Sequence, residues 1–144
     1  EDKRAASGEY VYLHAVLPHL PYVLDDACTY HGPPTRKLDD AERRTAYLDL
    51  LDKAIKTIRH FKPRYLVVSL GFDIMRGDPT GTFSVTVHGM RQIGHRLGSL
   101  GYPVLIVQEG GYRTRTLGAN ARAFFEGLWA GWREARSGAK RRYR

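Results

Sequence analysis

The stretch YLVVSLGFDIMRGDPTG, residues 65–81, decides how this chain folds. Its first six residues, Tyr65–Leu70, are too continuously apolar for a strand with one wet face, and they predict a strand of a parallel sheet covered on both sides. A glycine-flanked Asp-Pro turn follows, with Asp73 just past the strand. Because burying an unpaired charge is costly, Asp73 either needs a metal ion, an arginine or backbone N–H groups as its partner, or is an ordinary turn former.

Helices are predicted on either side of this strand. Apolar side chains recur at helical spacing, and Lys62-Pro63 and Gly101 give stop signals. The predicted elements are a helix over 39–61, a strand over 65–70, a helix capped by Thr86 over 86–100, a strand over 103–108 and a helix over 116–132. This order predicts an α/β fold with a parallel sheet and flanking helices. Two strands would leave parallel edges bare, so only part of the full sheet is expected; residues 9–17 could add a strand or a short buried helix.

Composition narrows the class of protein. The 144 residues suit one domain, and a single cysteine, Cys28, excludes an intrachain disulfide and a cysteine-based zinc cluster. No signal-peptide or membrane-spanning stretch is found, which predicts a cytoplasmic protein. The net charge of +8 is concentrated in a basic tail, residues 133–144. A solvated terminus is the expected role of this tail, ahead of a nucleic-acid arm.

A second loop, EGGYRTR at residues 109–115, follows the second strand. Gly110 and Gly111 allow torsions closed to other residues and bring the main chain close to a ligand. The Tyr112 phenol is a hydrogen-bond donor that suits a developing oxyanion, although a tyrosine bonded to a carbonyl is the simpler alternative. Because both loops follow the carboxyl ends of parallel strands, they are expected to face one crevice.

Together the two loops resemble a known family. The pattern LVVSLGFDxxxGDPTG, followed by a helix and PVLIVQEGGYRTRTLGANARAFFEGL, is similar to the C-terminal half of the catalytic domain of zinc-dependent deacetylases, which include histone deacetylases and acetylpolyamine amidohydrolases. The resemblance covers about residues 47–131 and implies an arginase/deacetylase-like fold. It also implies Zn2+ as cofactor, and acetyl-lysine peptides or acetylated polyamines and small amines as substrates.

Residue roles follow from the same resemblance. Asp73 corresponds to a zinc ligand, and Tyr112 to the phenol that polarises the acetyl carbonyl and stabilises the oxyanion. Gly110 and Gly111 correspond to the glycines that line the site beside Tyr112. Thr80 lies at the mouth of the acyl channel, where a polyamine-selective relative has an acid, so this position does not support polyamine selectivity.

The chain departs from the family pattern in its first part. Residues 1–38 lack that pattern, and the sequence has neither the Asp-x-His that supplies two more zinc ligands nor the adjacent histidine pair of the general base and acid. We therefore predict that residues 39–132 form the C-terminal part of a deacetylase-like domain, with activity of the isolated chain left open. A noncatalytic interaction module is the alternative. A phosphate or nucleic-acid site at Arg113 and Arg115 is a third reading, no membrane partner is expected, and a homo-oligomer is left open.

Overall fold

The computed structural model describes residues 39–81 and 83–141, and side chains over 39–81 and 83–138. The elements are α1 (Asp40–Phe61), β1 (Leu66–Leu70), a 3-10 turn (Phe72–Ile74), α2 (Val87–Gly98), β2 (Val104–Gln108) and α3 (Thr114–Arg141). The predicted order of elements is confirmed. The strand or helix expected over 9–17 lies outside the described residues.

The two strands form a parallel sheet. Leu66 pairs with Val104, Leu70 pairs with Gln108, and α2 lies in the connection between the strands. The α/β fold with a parallel sheet and flanking helices is therefore confirmed, and over residues 39–81 and 83–141 this sheet has two strands. No helix in that part of the chain combines the length and the apolar character that crossing a membrane requires.

Local sequence sets both ends of α1. Asp39 accepts hydrogen bonds from the backbone N–H groups of Ala41 and Glu42, while the Glu42 side chain accepts one from the Asp39 N–H, which is a capping box. At the other end Lys62 takes the left-handed conformation, with φ of 54°, directly before Pro63. Proline disfavours the right-handed helical conformation in the residue before it, so the helix stops here as predicted.

Glycines bring α2 and α3 into backbone contact. A Cβ at Gly94 would collide with the carbonyl oxygen of Phe124, and a Cβ at Gly127 would collide with that of Arg91. Gly98 and Gly131 lie one turn further along each helix, and a Cβ on either of them would likewise collide with a carbonyl oxygen of the opposite helix. The two helices therefore pack as closely as their backbones allow, and the apolar residues between them form a core with the inner face of the sheet. Its most buried members are Phe72, Met75, Val85, Met90, Ile93 and Phe124.

Two expectations about these elements are corrected by the structure. Residues 39–81 and 83–138 cover the strands on one face: Leu70 is buried, whereas Val67 and Leu105 on the opposite face are each 59% exposed. In addition, α3 extends to Arg141 where the sequence predicted an end at Trp132. The basic segment that starts at Arg133 is therefore helical as far as Arg141.

Candidate functional site

The loops after β1 and β2 lie side by side at the carboxyl edge of the sheet. The Glu109 N–H donates to the Leu70 carbonyl at 3.0 Å, and the Phe72 N–H donates to the Gly110 carbonyl at 2.8 Å. These bonds continue the strand pairing beyond β1 and β2. The expectation that both loops border one site is in agreement with this pairing.

Asp73 lies at the junction of the two loops. Its side chain is partly buried, and a Cβ placed on Gly110 would be only 3.0 Å from the Asp73 carboxyl carbon. A Cβ on Gly71 would collide with Oδ1 of the same carboxylate. Both glycines therefore leave the space that the carboxylate occupies. Within residues 39–81 and 83–138 no arginine, lysine or N–H group pairs with the Asp73 carboxylate.

The double glycine has two separate roles. Gly111 has φ of 136°, and a Cβ there would lie 2.8 Å from that of Phe72, so both its torsion and its space require glycine. Gly110 does not share the positive φ, and it is needed because the Asp73 carboxylate lies against it. The expectation that both glycines adopt special torsions is therefore correct for Gly111 alone. Tyr112 follows with 60% of its surface exposed, at the rim of the junction.

A second carboxylate, Asp78, joins the loops and was missed in the sequence. It is 6% exposed, and its Oδ2 accepts from the N–H groups of Tyr112 at 2.7 Å and Arg113 at 3.0 Å. Its Oδ1 accepts from the N–H and the hydroxyl of Thr80, both at 2.9 Å, and from the N–H of Gly81 at 3.4 Å. Burial acts to raise the pKa of the Asp78 carboxyl, but these hydrogen bonds outweigh it and hold the pKa below its usual value.

The sequence could predict the local hydrogen bond of Asp78 but not its bonds to the opposite loop. Asp-Pro-Thr is typical of a turn in which the aspartate accepts from the N–H two residues later, as Asp78 does from Thr80. Its bonds to Tyr112 and Arg113, 34 and 35 residues away, depend on how the sheet brings the loops together. No local pattern predicts that contact.

Thr80 and Arg113 have internal partners. Thr80 is exposed, and its hydroxyl donates to Asp78. The Arg113 guanidinium donates to the Arg76 carbonyl at 2.9 Å, across from one loop to the other. This nitrogen of Arg113, proposed above as a phosphate contact, is thus used to hold the loops together.

Tyr47 is a further polar group near the junction. It packs edge-on against Phe83, with ring centroids 5.1 Å apart, as expected for a residue on the buried face of α1. Burial and the negative charge of Asp73 raise the pKa of the Tyr47 phenol to about 12. The helical spacing of apolar residues predicted that this side chain would be buried, but gave no sign that it would lie near Asp73.

The described residues do not form a complete metal site. In residues 39–81 and 83–138 no group of three or more His, Cys, Asp or Glu side chains is arranged to hold a metal ion. A catalytic zinc commonly has three protein ligands, so Asp73, the zinc ligand predicted from the sequence, would not complete such a site with these residues alone. His95, on α2, is paired with Glu134 at 2.9 Å.

Two surface grooves lie away from the loop junction. A groove of about 330 Å³ lies along α2 between His88 and Arg96, and one of about 290 Å³ lies between α1 and α2. Acidic partners accompany the basic residues here: Arg91 pairs with Glu126 and Arg96 pairs with Asp52. None of the site residues predicted from the sequence lines either groove.

The fold and the paired loops define the class of protein. A parallel sheet with flanking helices and two glycine-containing loops at its carboxyl edge is an arginase/deacetylase-like arrangement, present here in part. Residues 31–128 match the histone deacetylase domain. The chain belongs to this family, as a partial domain.

Relatives include acetylpolyamine amidohydrolases and histone deacetylases. The chain is 47% identical over 85 residues to an acetylpolyamine amidohydrolase of Burkholderia pseudomallei, a match that covers 59% of this chain and 25% of that protein. It is 41% identical over 69 residues to histone deacetylase 15 of Arabidopsis thaliana, covering 47% of this chain and 12% of the relative. The chain thus spans a quarter or less of the length of these two proteins.

Solved structures agree with these matches. The crystal structure of the acetylpolyamine aminohydrolase from Burkholderia pseudomallei superimposes with a TM-score of 0.60 at 45% identity, over 61% of this chain and 26% of that one. The HD domain of HDA15 superimposes with a TM-score of 0.53 at 31% identity, over 60% of this chain and 25% of that one.

Proposed function

We propose that the chain supplies Asp73 and Tyr112 to the active site of a zinc-dependent deacetylase. The observation that carries this proposal is the position of the Asp73 carboxylate, which lies against Gly110 without an internal cation or N–H partner in residues 39–81 and 83–138. A partly buried carboxylate in that state is suited to a divalent cation. A zinc ion bound to it would supply Lewis acidity toward an acyl carbonyl oxygen.

Tyr112 acts as the hydrogen-bond donor in this proposal. Its phenol is exposed at the rim, and its backbone N–H is fixed by Asp78 at 2.7 Å. A donor whose main chain is already fixed can stabilise negative charge on the substrate oxygen without reorganising during the reaction. Gly110 and Gly111 bring the main chain directly before Tyr112 against Asp73 and Phe72.

The substrate proposed is an acetylated amine. Acetyl-lysine peptides and acetylated polyamines or small amines both remain candidates, because the relatives are named acetylpolyamine amidohydrolases and histone deacetylases. Thr80 is our candidate for a residue at the channel mouth, and it offers a hydroxyl and a methyl group but no charge. We further propose the division into residues 1–38, the deacetylase-like part 39–132 and the basic segment 133–144, and a cytoplasmic location.

A noncatalytic role is the second candidate function. It is favoured by the single recognisable zinc ligand among the described residues, since one carboxylate does not make a catalytic zinc site. In that case the loop junction would be kept for binding an acylated group or a partner. Zinc content and turnover separate the two candidates.

The test uses the chain expressed together with any coding sequence in frame upstream of Glu1. Zinc content is measured by elemental analysis, and hydrolysis is measured on an acetyl-lysine peptide and on an acetylated polyamine. We expect stoichiometric zinc and measurable turnover in the unchanged protein, and loss of both in Asp73→Asn, which keeps the shape of the side chain and removes its charge. Full activity and zinc content in Asp73→Asn would overturn the proposal, and a zinc-free protein without turnover would favour the noncatalytic candidate.

Tyr112→Phe is the companion variant. It removes one hydrogen-bond donor and leaves the carboxylate, so zinc content should stay unchanged while kcat falls about 100-fold to 1000-fold, the usual effect of losing an oxyanion donor. Circular dichroism checks that the fold is retained. Turnover equal to that of the unchanged protein would exclude Tyr112 from the chemistry.

A further inference from the structure

Asp78 is the buried carboxylate with bonds to both loops. Its two oxygens bind different loops. Oδ1 accepts three hydrogen bonds from the turn at Thr80 and Gly81, and Oδ2 accepts two from the main chain of Tyr112 and Arg113. Five donors aimed at one carboxylate that is 6% exposed form a built site for a negative charge. The carboxylate therefore stabilises both loops at once.

We propose that Asp78 is a positioning residue for the deacetylase reaction, which holds the Tyr112 main chain and thereby sets where its phenol lies relative to Asp73. This inference rests on the proposed function. The bond from the Tyr112 N–H, at 2.7 Å, is the shortest of the five. Asp78 touches neither the substrate nor the zinc in this account, and it acts through Tyr112.

The position of Tyr112 depends on few other contacts. The residue is 60% exposed, so packing does little to fix it, and the preceding Gly111 has a torsion that only glycine adopts readily. The Arg113 guanidinium makes a second link to the Arg76 carbonyl, but that bond comes from the next residue and from a long side chain. The Tyr112 carbonyl also accepts from the Thr114 N–H at 3.1 Å, but that bond lies within the same loop. Among the described residues, Asp78 is therefore the side chain that ties the Tyr112 main chain to the opposite loop.

Asp78→Asn separates the bonds to the Thr80 turn from the bonds to the opposite loop. An asparagine has one oxygen acceptor and one NH2 donor, so it can satisfy the N–H groups of the turn or those of Tyr112 and Arg113, but not both. Asparagine is well suited to accept from the N–H two residues later, so its oxygen should stay with Thr80. The NH2 group would then face the Tyr112 N–H, and this tie would be lost while the turn is retained.

The first measurement needs no enzyme activity. Hydrogen exchange of the Tyr112 and Arg113 amides, followed by NMR in the 144-residue chain, should be about 10-fold to 100-fold faster in Asp78→Asn, the factor expected for losing a charge-assisted hydrogen bond. The amide of Ile93 in α2 exchanges through global unfolding, so it should accelerate only by the factor that corresponds to the loss of overall stability, which urea denaturation measures independently. Asp49→Asn, at an exposed position of α1, is the charge-matched control and should leave all three amides as they are.

The second measurement uses the active protein of the preceding section. Asp78→Asn should keep its zinc, lower kcat and change KM little, and adding it to Tyr112→Phe should cause no further loss. Such non-additivity is expected when one residue acts through another, whereas independent effects multiply. Multiplying effects, or unchanged exchange at Tyr112, would overturn the inference.

The two readouts keep this inference separate from the proposed function. If the protein proves noncatalytic, the exchange experiment still decides whether Asp78 holds the Tyr112 main chain. If Asp78→Asn fails to fold, Asp78→Ser replaces it, because a serine hydroxyl can still accept from the Thr80 N–H but is too short to serve the opposite loop as well. Unchanged Tyr112 exchange in a folded Asp78→Ser would likewise reject the proposal.

Discussion

At the scale of single residues, two aspartates on one loop have opposite environments. Asp78 is surrounded by five hydrogen-bond donors, whereas Asp73 has no such partner within residues 39–81 and 83–138. The first therefore contributes to stability as a carboxylate held by N–H groups, and the second is available to a ligand. This contrast is what links the stability of the loops to the chemistry proposed for them.

The environment of Asp78 predicts a specific response to acid. Its pKa is lowered by folding, so its stabilising effect is complete above the unfolded-state value of about 4 and is lost as pH falls through the lower folded-state value. We expect the difference in unfolding free energy between the unchanged chain and Asp78→Asn to be constant from pH 7 to pH 5 and to shrink toward pH 2. Urea denaturation at several pH values measures this difference. A difference that stays constant to pH 2 would contradict the prediction.

The sequence predicted some of these residues and not others. Asp73 and Tyr112 are marked by their loops, because each loop follows an apolar strand and carries glycines. Asp78 was read as part of a turn, and that reading describes only its Oδ1. The role of Oδ2 requires knowing which loop lies opposite, and this depends on strand pairing between residues far apart in the chain.

At the scale of secondary structure, stop signals decided which boundaries could be predicted. The Lys62-Pro63 pair fixed the end of α1, which the structure places at Phe61 as predicted. The end of α3 was misplaced because the chain beyond Trp132 is polar and basic, and polarity was taken as the end of the helix. A polar segment without proline can continue a helix into solvent, as this one does to Arg141.

The contact between α2 and α3 gives the prediction at this scale. Gly127→Ala should destabilise the chain by about 1–3 kcal/mol, because its Cβ would collide with the Arg91 carbonyl and force two backbones apart. Gly118→Ala, on the same helix with nothing within 4 Å, should stabilise it by about 0.5–1 kcal/mol through helix propensity. Chemical denaturation of both variants is the measurement. Equal effects of the two substitutions would show that the close approach of the helices does not limit stability.

At the scale of the whole molecule, the residues that the structure describes leave one face of the sheet uncovered. Side chains that the sequence placed in a covered sheet are exposed: Tyr65 by 66%, Val67 by 59%, Leu105 by 59% and Val107 by 43%. Continuous apolar strands predict cover on both faces, and in residues 39–81 and 83–138 the helices cover only one. The match covers 25% of the length of the relative from Burkholderia pseudomallei. The apolar pattern of the two strands therefore suits a larger sheet than the one that residues 39–81 and 83–138 form.

This asymmetry can be tested with two leucines on adjacent strands. Leu70 on the covered face is 4% exposed, and Leu70→Ala should cost about 2–5 kcal/mol of unfolding free energy. Leu105 on the bare face is 59% exposed, so the same truncation should cost less than about 1 kcal/mol in the 144-residue chain. Denaturation at two protein concentrations measures both costs. A large cost at Leu105 that grows with concentration would mean that a second copy covers this face, and a large cost independent of concentration would mean that the chain covers it itself; either result would contradict the bare sheet.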